Sequence, residues 1–130
     1  MEEVYEFLKK CQVFFLATEE GDQPRVRPFG AVNIYNGKLY LLTGKAKQVS
    51  KQIAANPRVE LCAYDGETWL RVSATLVEDN SIEAQESMLN AYPSLRQQYR
   101  AGDGNTQTLY LKDAVAVFYS MTGEPRTITF

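Results

Sequence analysis

The chain has 130 residues and a mass of 14.7 kDa, with 45% hydrophobic and 23% charged residues, enough for one hydrophobic core and too short for two ordinary domains. It has no histidine and two cysteines, Cys11 and Cys62, each inside an apolar stretch; Cys/His zinc clusters, histidine-ligated haem and Ser-His or Cys-His nucleophile pairs are therefore excluded within the chain. The formal net charge of −2 divides into +7 between Gln23 and Val59, where no Asp or Glu occurs, and −9 over the remainder, so a wholly basic segment in an acidic protein offers a surface for an anion.

No apolar run approaches the roughly 20 residues of a membrane span. The start, Met1-Glu2-Glu3-Val4-Tyr5, is acidic where a signal peptide is basic and then apolar. A single-domain, cytoplasmic protein over residues 1–130 without a membrane partner is expected. Glu2 to Lys10 carries Val4, Phe7 and Leu8 at helical spacing, with acids in the first turn and lysines in the last, and reads as a short amphipathic helix. Val13 to Thr18 is a β-prone run ending at the turn-forming Glu20-Gly21-Asp22, so an extended segment from Pro24 to Ile34 is expected to return beside it. Tyr35-Asn36-Gly37-Lys38 predicts a tight hairpin, because Asn-Gly tolerates positive φ at both central turn positions. Lys38 to Thr43 is its returning strand.

Ala46 to Ala55 carries one apolar stripe and is stopped by Asn56-Pro57, as expected of a helix. Val59 to Tyr64 turns through Asp65-Gly66-Glu67 into Thr68 to Val77, two strands of which the second is long enough to bend around a barrel. Ser81 is an N-cap for a helix to Asn90, and Leu95 to Tyr99 adds a further helical turn. After the loop Ala101 to Asn105, strands are predicted over Thr108 to Leu111, Ala114 to Met121 and Arg126 to Phe130. About seven strands, mostly joined as hairpins, with short helices, make a mainly β protein: a small antiparallel barrel with helices packed outside it.

The chemistry resides in the basic segment and the long strand. Arg25 and Arg27 are two apart on a strand and leave the same face; solvent, acids from elsewhere or an anion must lie between them. Lys47 and Lys51 share a helix face, with Lys45 at the amino end, where free N–H groups and the helix dipole also favour an anion. Thr43-Gly44-Lys45 resembles part of a phosphate loop, but position 39 is Leu where the Walker motif needs Gly, and that reading is rejected. Trp69, the only tryptophan, and Arg71 share a face of the long strand; they are a packing aromatic and a solvated cation, or the lining of a planar ligand.

In combination these segments are more specific. Phe15-Leu16-Ala17-Thr18, Gln23-Pro24-Arg25-Val26-Arg27-Pro28-Phe29-Gly30, Gly37 to Thr43, and Lys51 to Val59, with Trp69 to Ala74 and Phe118 to Pro125, together resemble the pyridoxamine 5′-phosphate oxidase-like, FMN-binding split-barrel family. The resemblance covers essentially the whole chain. It implies a homodimer with FMN at the subunit interface, Arg25, Arg27, Pro28 and Phe29 beside the flavin, and Thr43, Lys47, Gln48 and Lys51 towards its phosphate. Trp69 falls near a glutamine that the full-length oxidases place close to the flavin ring, and Arg71 follows on the same face. The oxidases carry a Ser-Arg-Lys run in the helix where this chain has Lys47-Gln48-Val49.

The expected function is that of an FMN-dependent oxidoreductase exchanging electrons with a small-molecule donor and acceptor. The alternatives are a flavin-binding or sensing module without catalysis and a barrel that binds single-stranded nucleic acid through the basic strip; the acidic remainder argues against nucleic acid. A true pyridoxamine 5′-phosphate oxidase is not expected, because the Arg-x-His element those enzymes use beside the reacting amine has no counterpart in a chain without histidine.

Overall fold

The computed structural model describes all residues from Met1 to Phe130. Its elements are α1 (Glu2–Cys11), β1 (Phe14–Glu20), β2 (Gln23–Phe29), β3 (Val32–Tyr35), β4 (Lys38–Gly44), α2 (Gln48–Ala55), β5 (Arg58–Tyr64), β6 (Thr68–Asp79), α3 (Ile82–Ala91), a 3-10 segment (Pro93–Gln97), β7 (Thr106–Ser120) and β8 (Arg126–Thr129). All eight strands belong to one antiparallel sheet of order β2-β1-β5-β6-β7-β4-β3, with β8 paired to β7. The two outermost strands, β2 and β3, are joined by Gly30 and Ala31 alone. A two-residue link cannot span a flat seven-strand sheet, so the sheet must curl until its edges nearly meet. The result is the antiparallel barrel that the sequence predicted, split between β2 and β3.

Alternation of burial shows which face is inside. Phe14 and Leu16 of β1, Leu61 and Ala63 of β5, Leu70, Val72 and Ala74 of β6 and Ala116 of β7 fill the barrel, joined by Val4 and Leu8 of α1 and by Val49 and Ile53 of α2. A second, smaller core under α3 gathers Ala31, Tyr40, Leu42, Ala84, Met88, Leu89 and Tyr99. The hairpin between β3 and β4 has positive φ at Asn36 and Gly37, as its Asn-Gly pair dictates. Ser81 caps α3 by accepting from the Ala84 N–H at 3.2 Å.

Two segments differ from expectation. Thr108 to Leu111 and Ala114 to Met121 are one strand, β7, because Lys112-Asp113 makes a bulge rather than a turn. Asp113 takes a positive φ, and the register passes from Ser73 opposite Val115 to Thr75 opposite Lys112. The extra residue bends β7 so that it pairs first with β4 and then with β8. Conversely, Pro24 to Ile34 is not one strand: it leaves one edge at Phe29 and enters the other at Val32, and the Gly30–Ala31 step marks the split.

Candidate functional site

The split opens into a cleft of about 350 Å³, at the small end of the range for ligand pockets, roughly 300–1,000 Å³. Its floor is the β2–β3 crossing, Arg27 to Ala31; one wall is the end of β4, Leu42 and Thr43, with Lys47 and Val49 at the start of α2. The facing wall is the segment after α3, supplying Tyr92, Ser94, Leu95, Gln98 and Tyr99. The Tyr92 hydroxyl fastens that wall to the barrel edge: it donates to the Val32 carbonyl at 3.0 Å and accepts from the Val32 N–H at 3.3 Å. Edge strand β3 thereby spends backbone groups that would otherwise stand open.

The β4–α2 corner is shaped by close packing. A Cβ on Gly44 would stand 3.1 Å from the Asn105 side chain and 3.3 Å from the Tyr99 ring, so any larger residue would have to push those side chains aside by a few tenths of an ångström. Asn105 holds the turn, its carbonyl accepting from the Lys45 N–H at 2.8 Å and its Oδ1 from the Ala46 N–H at 3.0 Å. The Asp103 carboxylate in turn accepts from the N–H groups of Arg100, Asn105 and Thr106 and from the Thr106 hydroxyl. Those backbone donors hold its carboxyl well below the usual carboxylate range.

Of the residues singled out in the sequence, Arg27, Pro28, Phe29, Thr43 and Lys47 line this cleft. Arg27 is half-buried, and its guanidinium donates to the Leu16 carbonyl at 3.2 Å, to Thr18 Oγ1 at 2.7 Å and to Gln52 Oε1. Burial, with the charge of Arg25 added, disfavours its cationic form. Lys47 is the N-cap residue of α2, a helix with no side-chain cap and no acid in its first turn, so its first N–H groups remain available. No ion pair engages Arg27 or Lys47, whereas Lys45 pairs with Glu78 at 3.4 Å.

The others lie elsewhere. Arg25 shares the face of Arg27 but is bound by Glu20 at 2.8 Å, both half-exposed, a pair worth at most about 1 kcal/mol. Gln48 and Lys51 are exposed on α2 outside the cleft wall. Trp69 and Arg71 stand on the outer face of β6: Trp69 stacks on Tyr119 with centroids 5.4 Å apart, and Arg71 bonds Glu60 at 2.9 Å. Sequence reasoning missed the Tyr92–Tyr99 wall; the pattern Tyr92, Leu95, Tyr99, at three- and four-residue spacing after a Pro-stopped helix, was the available signal.

Chemically, the cleft pairs two unneutralised cations and a helix amino end with an apolar, aromatic wall of Phe29, Leu42, Leu95 and Tyr99. That set suits a planar apolar body carrying an anionic end. No carboxylate, histidine or thiol lines it, so its side chains hold and polarise a ligand rather than exchange protons near neutral pH. No helix is long and apolar enough to cross a membrane, and no group of three or more metal-ligating side chains is assembled.

The family model described as pyridoxamine 5′-phosphate oxidase matches residues 1–119. A NimC/NimA family protein from Clostridium acetobutylicum is 42% identical, with a TM-score of 0.96 over 100% of this chain and 92% of its own. General stress protein 26 from Bacillus anthracis shares the fold at 16% identity, with a TM-score of 0.77 over 99% of this chain and 97% of its own. A pyridoxamine 5′-phosphate oxidase-related, FMN-binding protein from Nostoc punctiforme does so at 14% identity and a TM-score of 0.62, covering 99% and 95%. The same fold also carries a FAD-binding protein from Mesorhizobium loti and a heme-binding protein from Mycobacterium smegmatis. A search of curated proteins finds no match.

Proposed function

The chain belongs to the pyridoxamine 5′-phosphate oxidase family, and from that premise we propose that it is a flavoprotein that binds FMN in the split of its barrel and works as an oxidoreductase on a small-molecule donor and acceptor. The single observation that carries this reading is the pairing, in one cleft, of Arg27 and Lys47, neither held in an ion pair, with an apolar, aromatic wall. Lys47, Thr43 and the amino end of α2 would hold the phosphate, and Phe29, Leu42, Leu95 and Tyr99 would hold the ring. FMN would supply the two-electron chemistry. Arg27 would stabilise negative charge that builds on the ring when it is reduced. A terminal phosphate is what these cations select, so FMN is favoured over riboflavin. Titration with all three flavins tests this: FMN tightest supports it, and equal affinity for riboflavin removes the phosphate argument.

A homodimer is part of the same proposal. The outer barrel face carries Val26, Phe15 and Tyr64 at 67%, 48% and 63% exposure. They lie in register with Ala17, Cys62, Arg71, Trp69 and Tyr119 across adjacent strands. This largely apolar face, crossed by the Arg71–Glu60 pair, is of the kind that protein interfaces cover. A second copy seated there would cover it and bring Trp69 and Arg71, which this chain's own cleft lacks, towards the flavin of its partner. Turnover of pyridoxamine 5′-phosphate is expected to be negligible: nothing in the cleft offers a second set of cations for a substrate phosphate. Aerobic formation of pyridoxal 5′-phosphate would overturn that expectation.

A further inference from the structure

Arg27 is the half-buried cation of the cleft, and the groups that hold it are all uncharged. Its acceptors are the Leu16 carbonyl, the Thr18 hydroxyl and the Gln52 amide oxygen. Thr18 and Gln52 are themselves 3% and 6% exposed. Gln52 Oε1 takes two donors at once, the guanidinium and the Thr18 hydroxyl at 2.6 Å, while its Nε2 points to Glu20 Oε2 at 3.4 Å. Glu20 is the acid closest to this cluster, and both donors of the Arg25 fork, Nε at 3.0 Å and Nη2 at 2.8 Å, converge on its Oε1. A buried arginine ordinarily has a carboxylate partner. Here an amide stands where an isosteric glutamate would have completed an ion pair.

Resting on the flavin reading above, we propose that Gln52 is a positioning residue that fixes the Arg27 guanidinium through a neutral acceptor and so keeps it free of direct carboxylate contact for the ligand in the cleft. Three bonds from fixed acceptors set the orientation of a planar fork. None of them cancels the field it projects in a poorly solvated site. The apo protein bears the cost of a half-buried cation without a direct carboxylate partner, and an anionic occupant relieves it. Reduction places more negative charge on the flavin, so the reduced form gains more from Arg27 than the oxidised form does.

The test is the midpoint potential of FMN bound to the full chain, measured by dye-coupled reductive titration for the parent and for Gln52→Glu. Placing a carboxylate against Arg27 is expected to reduce the preference for reduced over oxidised FMN about tenfold, which is a potential about 30 mV lower for the two-electron couple. Thermal stability is read alongside, because the new carboxylate pairs with Arg27 but replaces the Nε2 donor that faces Glu20 Oε2 at 3.4 Å. A purely structural role would move the melting temperature and leave the potential alone. A folded Gln52→Glu protein with the parent's potential overturns the proposal. If that variant does not fold, Gln52→Asn is read instead. Being uncharged and one methylene shorter, it should let the guanidinium shift, weakening FMN several-fold and lowering the potential, and a Kd and potential equal to the parent's overturn the proposal. A parent chain that takes up no FMN refutes the underlying reading of the cleft, an outcome distinct from a flavin-loaded parent whose potential Gln52→Glu fails to shift.

Discussion

Lys47→Ala separates a phosphate-binding cleft from a merely basic surface. The Lys47 side chain is in the cleft wall and has no acidic partner, and the residue stands at the N-cap position of a helix whose first turn contains no acid, so nothing in the chain already neutralises it. A charge-assisted contact with a phosphate is worth about 1.5–3 kcal/mol, and at about 1.4 kcal/mol per decade its loss should weaken FMN roughly ten- to a hundredfold. The side chain is exposed, so folding stability should change by no more than about 0.5 kcal/mol. Lys51 lies one turn further along α2 and outside the wall. Solvent and salt screen it, and Lys51→Ala should cost less than about threefold. The assay is quenching of flavin fluorescence on titration with protein, with FMN and riboflavin side by side at two salt concentrations. Lys47→Ala should close most of the gap between the two flavins and flatten the salt dependence for FMN. A Lys47→Ala variant with the parent's FMN affinity, or one that loses riboflavin equally, refutes the assignment of Lys47 to the phosphate.

Gly44→Ala should destabilise the fold by about 1–3 kcal/mol in urea, because its methyl would press on Asn105 and Tyr99, with flavin affinity falling as the corner shifts; an unchanged unfolding midpoint contradicts the packing. Asp103→Ala should cost about 1–2 kcal/mol at neutral pH, since three backbone N–H groups lose their acceptor. The folded-state pKa of Asp103 is depressed, so its contribution is complete above the unfolded value of about 3.9 and is lost as pH falls towards the folded one. The deficit of the variant should therefore be constant from pH 6 to 8 and shrink below about pH 4, whereas a pH-independent deficit would assign it to packing. Sedimentation should give twice 14.7 kDa for the parent and a flavin-poor monomer for Phe15→Glu combined with Val26→Glu. A monomeric parent that keeps its flavin counts against the interface.

What the sequence made legible was local. Asn36-Gly37 dictates its hairpin, Ser81 its cap and Asn56-Pro57 the end of α2, because each rests on backbone preferences within a few residues. The alternation of Leu70, Val72 and Ala74 with Trp69, Arg71 and Ser73 likewise marked the two faces of β6. Long-range geometry was not legible in this way. Lys112-Asp113 reads as a turn until Ala74 is known to lie opposite, where the extra residue becomes a bulge. Arg25 and Arg27 are equivalent by spacing, and only the fold distinguishes them: Glu20 engages one, while Gln52 and Thr18 hold the other at the cleft. The Tyr92–Tyr99 wall reaches the site through a tyrosine hydroxyl bonded to a strand sixty residues earlier, a contact that no periodicity encodes.

The most direct test is the chromophore of the freshly purified full chain: its visible spectrum, with the compound released on denaturation identified and counted per chain. The account predicts a yellow protein releasing FMN at about one per chain, or a colourless one that becomes yellow on stoichiometric uptake of added FMN. A haem spectrum, release of FAD, or a chain that takes up no flavin would contradict it.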